Sequence, residues 1–248
     1  MIRVEQSAYG NRWRGASPGA KALFAACGMA AAFLAATPGA ACAVAFAMAV
    51  VACLGAGIPA GRYLRVAAPP LLFLVAAGGP LAVSLAGKAG FPWLALSSTR
   101  AQQFQAAQVS ARSLACLASL LFLALTTPMT DLIGLLRRLG CPAILLDLMS
   151  LCYRTLFVFS DAVRETATAQ EARLGYADPK LALRSTGGLV ANLTAQVLHR
   201  SRALHLAALA RNQEGPFLFL PREFPGRARH LLAALLGGGA LVALVLLP

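Results

Sequence analysis

The chain has 248 residues, of which 58% are hydrophobic and 12% charged, whereas a soluble domain carries about 25% charged residues. So few charges cannot cover a globule of this size, which excludes a soluble single-domain enzyme, and the apolar content excludes a disordered chain. The charges are also unevenly placed: Lys21 and Arg62 enclose forty uncharged residues, Arg65 and Lys88 twenty-two, Arg112 and Asp131 eighteen, and eighteen more follow His230. A bilayer core needs about 20 apolar residues of helix, so the pattern predicts an all-α, polytopic helical membrane protein.

In chain order, the forty-residue run is too long for one helix and breaks at Thr37-Pro38-Gly39, where proline removes a backbone donor and glycine relieves the turn. Span one is therefore about 20–37 and span two about 39–58. The basic start, the apolar stretch 22–36 and the small residues 40–43 have the parts of a cleaved signal peptide. An alanine-rich run that passes straight into a second span fits a retained helix better. Span three covers about 67–87, entered through Pro69-Pro70; span four covers about 108–127, ended by Pro128; the last covers about 231–247. Their interiors are rich in Ala and Gly, which lets helices approach closely in lipid. The six cysteines, Cys27, Cys42, Cys53, Cys116, Cys141 and Cys152, form no C-x-x-C pair and read as small packing residues.

Residues 142–159 are apolar enough to suggest a sixth span, but they contain Asp147 and Arg154. The positive-inside rule decides between the parses. With five spans, the N-terminus, the 59–66 loop and all of 128–230 share one side, which then holds 19 of the 22 Lys and Arg residues. A sixth span would send the ten basic residues of 160–230 outside. The expected arrangement is five spans with the N-terminus cytoplasmic and the C-terminus outside, and 142–159 on a cytoplasmic or interfacial helix. Three regions follow: 1–127 with four spans, 128–230 as a cytoplasmic module, and 231–248 as the last span. The formal charge of +13 then consists of orientation signals and contacts to the lipid bilayer, and nucleic acid is not an expected partner.

Within the cytoplasmic module a short helix, about 130–139, is closed by Gly140 and Pro142. A long helix, about 143–174, carries Asp147, Arg154 and Asp161 at intervals of seven, on one face. That face reads either as a solvated, internally paired stripe or as a docking surface. Gly175 is the expected left-handed cap of this helix. Asp178-Pro179 opens a second long helix, about 180–213, with an apolar stripe at Leu183, Val190, Leu193, Val197, Leu204 and Ala208. Each long helix ends in Ala-Arg: Ala172-Arg173 and Ala210-Arg211. Arginine in a last turn complements the helix dipole; alternatively, a small residue lets another surface approach while the guanidinium pairs bidentately with a carboxylate.

At these residues the chain resembles the transmembrane T component of energy-coupling-factor transporters, in particular the CbiQ-type subunit of cobalt transporters. Ser17-Pro18-Gly19-Ala20-Lys21-Ala22-Leu23 is similar to the family's Asp-Pro-Arg-x-Lys-Leu pattern, with Ser17 departing from the acid. Thr127-Pro128-x-x-Asp131-Leu132, Leu136-x-x-Leu139-Gly140-x-Pro142 and Tyr153-Arg154 follow it closely, and the run from Leu183-Arg184-Ser185 to Ala208-Leu209-Ala210-Arg211 resembles its final coupling helix. The resemblance implies two coupling helices, each ending in an Ala-Arg-Gly-like triplet whose arginine docks in a groove of one of two ATP-binding-cassette ATPase subunits. It implies as well a separate membrane-embedded substrate-binding subunit that sets specificity, for cobalt, nickel or a vitamin. Carried over, Ala172, Arg173, Ala210 and Arg211 would bind the ATPases, with Asp147, Tyr153, Arg154, Asp161 and Gly175 supporting them. Leu174 and Asn212 depart from Gly at the third positions, and Gly175 could supply the first cap instead.

No phosphate-binding loop is present: Lys88 follows Gly87, but positions 82 and 89 are both Ala. No paired acids suit magnesium diphosphate chemistry, and His199 and His205, six apart, are off one helical face. No catalytic residue, metal site or cofactor is expected; ATP hydrolysis would belong to the partners. The rival readings are a conventional ABC permease, of whose Glu-Ala-Ala loop Glu171-Ala172-Arg173-Leu174-Gly175 is a partial echo, and a membrane-embedded transferase.

Overall fold

The computed structural model describes residues 3–82, 84–85, 96–97, 100–212, 224 and 226–246. Two compact units divide the chain: Met1–Leu135 with Arg222–Pro248, and Leu136–Pro221. The described residues are helical apart from turns and one two-residue antiparallel pairing of β1, Ser84–Leu85, with β2, Leu96–Ser97.

In the first unit, α1 (Arg3–Gly10) and a 3-10 turn (Arg12–Gly15) lead into α2 (Pro18–Leu34). Helix α3 (Pro38–Val50) runs on as a π turn, Val51–Gly55, and is followed by α4 (Ala60–Ala82), α5 (Arg100–Thr126) and, at the end of the chain, α9 (Arg227–Leu246). The break expected between the first two spans is present. Thr37 caps α3, its hydroxyl accepting the Ala40 N–H at 3.3 Å, and Pro38 occupies the first turn, where its missing donor costs nothing.

One expectation is corrected. Span three is not entered through Pro69-Pro70, because α4 is already helical from Ala60 and carries both prolines inside. Pro59 is the helix starter: its carbonyl accepts from the Arg62 and Tyr63 N–H groups at 2.8 and 3.2 Å. Membrane helices tolerate internal proline where neighbouring groups re-satisfy the freed carbonyls. The far end of this expected span, at 83 and 86–87, lies outside the described residues.

Helix α5 is the hub, with α1, α2, α3 and α4 all packed on it, while α9 packs on α2. The core is built from small residues, including Ala25, Ala31, Ala32, Ala45, Ala52, Ala115 and Ala118 around Val44, Met48 and Phe122. Small side chains matter because lipid is as apolar as the core, so association rests on close van der Waals contact. At Gly28 a β-carbon would lie 2.8 Å from Ser119 Oγ and 3.1 Å from Met48 Sδ, so a larger residue there would force those side chains to shift. Phe122 is the large exception, edge-on to Trp13 at 6.0 Å and Phe24 at 5.3 Å.

The first two stretches that carry the family resemblance, 17–23 and 127–132, meet at the end of α5. A helix leaves its last carbonyls unpaired, and Pro128 prevents continuation. Asn11 Nδ2 donates to Thr126 O at 2.9 Å and the buried Lys21 Nζ donates to the same oxygen at 2.8 Å. An ammonium at this end also complements the helix dipole. Ser17, where the resembled pattern has an acid, precedes α2 without a side-chain cap bond.

Helix α6 (Met129–Arg138) crosses the boundary between the units, and the second unit contains α7 (Ala143–Ala172) and α8 (Pro179–Ala210). Among the described residues the helices long and apolar enough to cross a membrane are Pro38–Gly55, Phe104–Thr126, Ala143–Ala172 and Ala228–Val245, with Pro18–Leu34 a shorter apolar helix; α4, which carries the expected third span, is not among them. This is a polytopic helical membrane protein. Helix α7, which contains 142–159, satisfies the same length and composition test, against the expectation that this stretch is not a span.

Candidate functional site

The ends of α6, α7 and α8 share one construction. At α6, Gly140 has φ +83°, its N–H bonds Arg137 O at 3.3 Å, and the Cys141 N–H bonds Leu136 O at 3.2 Å. At α7, Leu174 has φ +57°, its N–H bonds Glu171 O at 2.9 Å, and the Gly175 N–H bonds Gln170 O at 2.8 Å. At α8, Asn212 has φ +49° and its N–H bonds Leu209 O at 3.0 Å. A left-handed residue followed by a bond back to the third-last helical carbonyl is the Schellman closure, which satisfies carbonyls otherwise left orphaned. At α8 the next residue, 213, lies outside the described residues, so the shared feature there is the left-handed residue and its N–H bond.

The expected left-handed cap at Gly175 is thereby corrected: the residue in the left-handed region is Leu174, one place earlier. Leu174 and Asn212 are the third residues of the two Ala-Arg triplets, the positions at which the resembled pattern has glycine. Gly175 serves a different need, since a β-carbon there would lie 2.7 Å from Ser185 Oγ and 2.9 Å from Gln170 O. Its role is close approach between the turn and α8.

Ala172 and Ala210 are the last helical residues, and Arg173 and Arg211 are the caps, with φ/ψ of −96°/15° and −96°/7°. The two arginines thus leave their helices in the same way. Both are exposed, and among the described residues neither guanidinium has a hydrogen-bond or ion-pair partner. Ser185, close to the first of these ends, and Ala210 are 25 residues apart on α8, about 37 Å of helix. The arrangement presents two separate planar cations, each next to a small residue, as suits bidentate pairing with carboxylates on another surface.

The remaining expected site residues lie along α7. Asp147 is half-buried, with its backbone carbonyl accepting Ser150 Oγ at 2.8 Å. Tyr153 sits edge-on to Phe157 at 5.2 Å, while Arg154 and Asp161 are exposed. Asp147, Arg154 and Asp161 share a face, but seven residues of helix rise about 10.5 Å, too far for adjacent members to pair directly. Among the described residues no three His, Cys, Asp or Glu side chains group as a metal site would require.

Sequence reading missed the cluster that holds the first Ala-Arg end. Gln170 Nε2 donates to Ser185 O at 2.9 Å, Tyr176 OH donates to Gln170 Oε1 at 2.8 Å, and Ser185 Oγ donates to Gly175 O at 2.9 Å. Nothing in a single sequence marks a glutamine near one helix end as the partner of a serine fifteen residues on.

Residues 10–217 match the CbiQ family, described as cobalt transport protein. A cobalt transport protein CbiQ of Rhodobacter capsulatus is 34% identical over 195 residues, covering 76% of this chain and 78% of that protein. A cobalt transport protein CbiQ of Salmonella typhimurium is 30% identical over 125 residues, covering 50% of this chain and 55% of that protein. The chain belongs to the CbiQ cobalt transport protein family.

Proposed function

We propose that this member of the CbiQ family is the coupling subunit of an ATP-driven importer of the energy-coupling-factor type, and that its cargo is the cobalt ion. Arg173 and Arg211 dock in carboxylate-lined grooves of two ATP-binding-cassette subunits at the cytoplasmic face of the inner membrane. When ATP binding closes that pair of subunits, the arginines move with them. Helices α7 and α8 carry the displacement to the membrane spans. There a separate membrane-embedded subunit that holds the cargo is tilted, so that the ion reaches the cytoplasm. The chain performs no bond chemistry itself; it works as a rigid relay between two-state partners. The domain assignment proposed with this reading is 1–127 and 231–248 in the membrane and 128–230 as the coupling module.

The observation that carries the reading is the identical backbone exit of the two exposed arginines from separate long helices. A lone arginine at a helix end would be explained by the dipole; two matched ends, about 37 Å apart along α8, fit two copies of a similar groove. Arg173→Glu or Arg211→Glu is expected to abolish ATPase copurification and cobalt uptake while membrane insertion remains intact. Losing one partner of a desolvated charge pair costs about 2–5 kcal/mol. Charge-reversed proteins that retain the ATPases and transport normally would defeat the docking assignment.

A further inference from the structure

We propose that Gln170, Ser185 and Tyr176 are positioning residues: they lock the exit of Arg173 to α8 and so make the first Ala-Arg end rigid. This rests on the docking reading above and adds to it the residues that hold the first docking arginine in place.

The argument starts from how the turn between α7 and α8 satisfies its polar groups. Arg173, Leu174 and Gly175 follow the last helical residue, and their N–H groups return to Gln170 O, Glu171 O and Gln170 O at 3.1, 2.9 and 2.8 Å. Those bonds fix the turn to α7 alone. The Gln170 side chain then reaches the other helix, donating to Ser185 O and accepting from Tyr176 OH. The Ser185 hydroxyl closes the loop by donating to Gly175 O. Three side-chain bonds therefore tie the end of α7, the turn and the second turn of α8 into one ring of partners that brackets Arg173 on both sides. Gly175 leaves no space for a β-carbon between Ser185 Oγ and Gln170 O, so the ring is also sterically closed. An amide that donates with one atom and accepts with the other fixes an orientation better than a hydroxyl alone, because both arms must be satisfied together.

At the second end the backbone repeats as far as Asn212, where the described segment ends. Arg211 and Asn212 return their N–H groups to Ala208 O and Leu209 O at 3.1 and 3.0 Å, and among the described residues no side chain from another helix joins them. A load applied to Arg173 is therefore delivered to α7 and α8 together.

The test uses the whole transporter, purified with its ATPase and substrate-binding subunits and reconstituted in vesicles, carrying Gln170→Ala, Ser185→Ala or Tyr176→Phe. ATPase retention should remain, because Arg173 is present, while cobalt taken up per ATP hydrolysed falls about fivefold for Gln170→Ala, the weight of roughly one neutral hydrogen bond. Ser185→Thr keeps the hydroxyl and should restore the ratio. Spin labels at positions 169 and 192 in the assembled complex should give a narrow distance distribution that broadens in Gln170→Ala. Wild-type coupling and an unbroadened distribution in Gln170→Ala and Ser185→Ala, with Arg173→Glu still abolishing ATPase retention, would overturn the positioning role and leave docking standing. Loss of effect in Arg173→Glu itself would overturn the docking reading instead.

Discussion

The two units are built on opposite economies. In the first, α5 is surrounded by packed helices, and buried residues run from Ser7 through Phe122 to Leu241. In the second, Leu146 is the single buried side chain among the described residues, and leucines such as Leu183, Leu206 and Leu209 stand 63–77% exposed. The first unit is held by its interior. The second is held by helix caps and a few hydrogen bonds, so its shape is finished by whatever surface covers it. The contrast fits the relay proposed above, in which one unit resists load while the other fits partners.

The contrast is broken or sharpened first by truncating one residue from each unit. Phe122 is 1% exposed and touches two aromatic rings, so Phe122→Ala should cost about 3–5 kcal/mol. Leu204, 46% exposed on the α8 stripe, should change the stability of the isolated chain by no more than about 0.5 kcal/mol when replaced by Ala. Thermal unfolding in detergent, followed through the fluorescence of Trp13 beside Phe122, measures the first, and helical circular dichroism covers both. Equal losses from the two substitutions would mean that the second unit has a core of its own.

A smaller effect is expected at the junction of α2 with the end of α5. Lys21→Met keeps the volume of the side chain and removes the ammonium from Thr126 O. Hydrogen bonds from charged donors contribute about 1.5–3 kcal/mol, and Asn11 still reaches the same carbonyl, so a loss near the lower figure is expected. An unchanged melting temperature would show that Asn11 alone satisfies the helix end.

Much of this architecture was legible because proline and charge are strong signals. The break at Thr37-Pro38, the stop at Pro128 and the two Ala-Arg ends lie where the residues indicate. The misreadings share a physical cause, which is that local propensity was outweighed by tertiary need. Pro69-Pro70 read as a helix start, yet Pro59 had already opened the helix and the prolines fall inside it. Gly175 read as the left-handed residue because glycine adopts that conformation without cost. In the folded chain its missing side chain is used for contact with Ser185, and the backbone reversal falls to Leu174. The hydrogen bonds of Gln170 were invisible because they depend on how α8 folds back on α7, which no local pattern encodes.

The smallest predicted effect tests this last point. A left-handed conformation costs a leucine about 1–2 kcal/mol through its β-carbon, while glycine gives back about 0.4–1 kcal/mol through the greater freedom of the unfolded chain. Leu174→Gly should therefore stabilise the second unit by roughly 0.5–1 kcal/mol. Asparagine tolerates the left-handed region, so Asn212→Gly should change stability by only a few tenths of a kcal/mol. Hydrogen exchange at the closing amides reads the difference: protection at Gly175 should rise in Leu174→Gly, and protection at residue 212 should stay level in Asn212→Gly. If Leu174→Gly instead weakened protection, the leucine side chain would have to be stabilising the turn by contact, and the strain at the first Ala-Arg end would be offset by packing rather than left in the backbone.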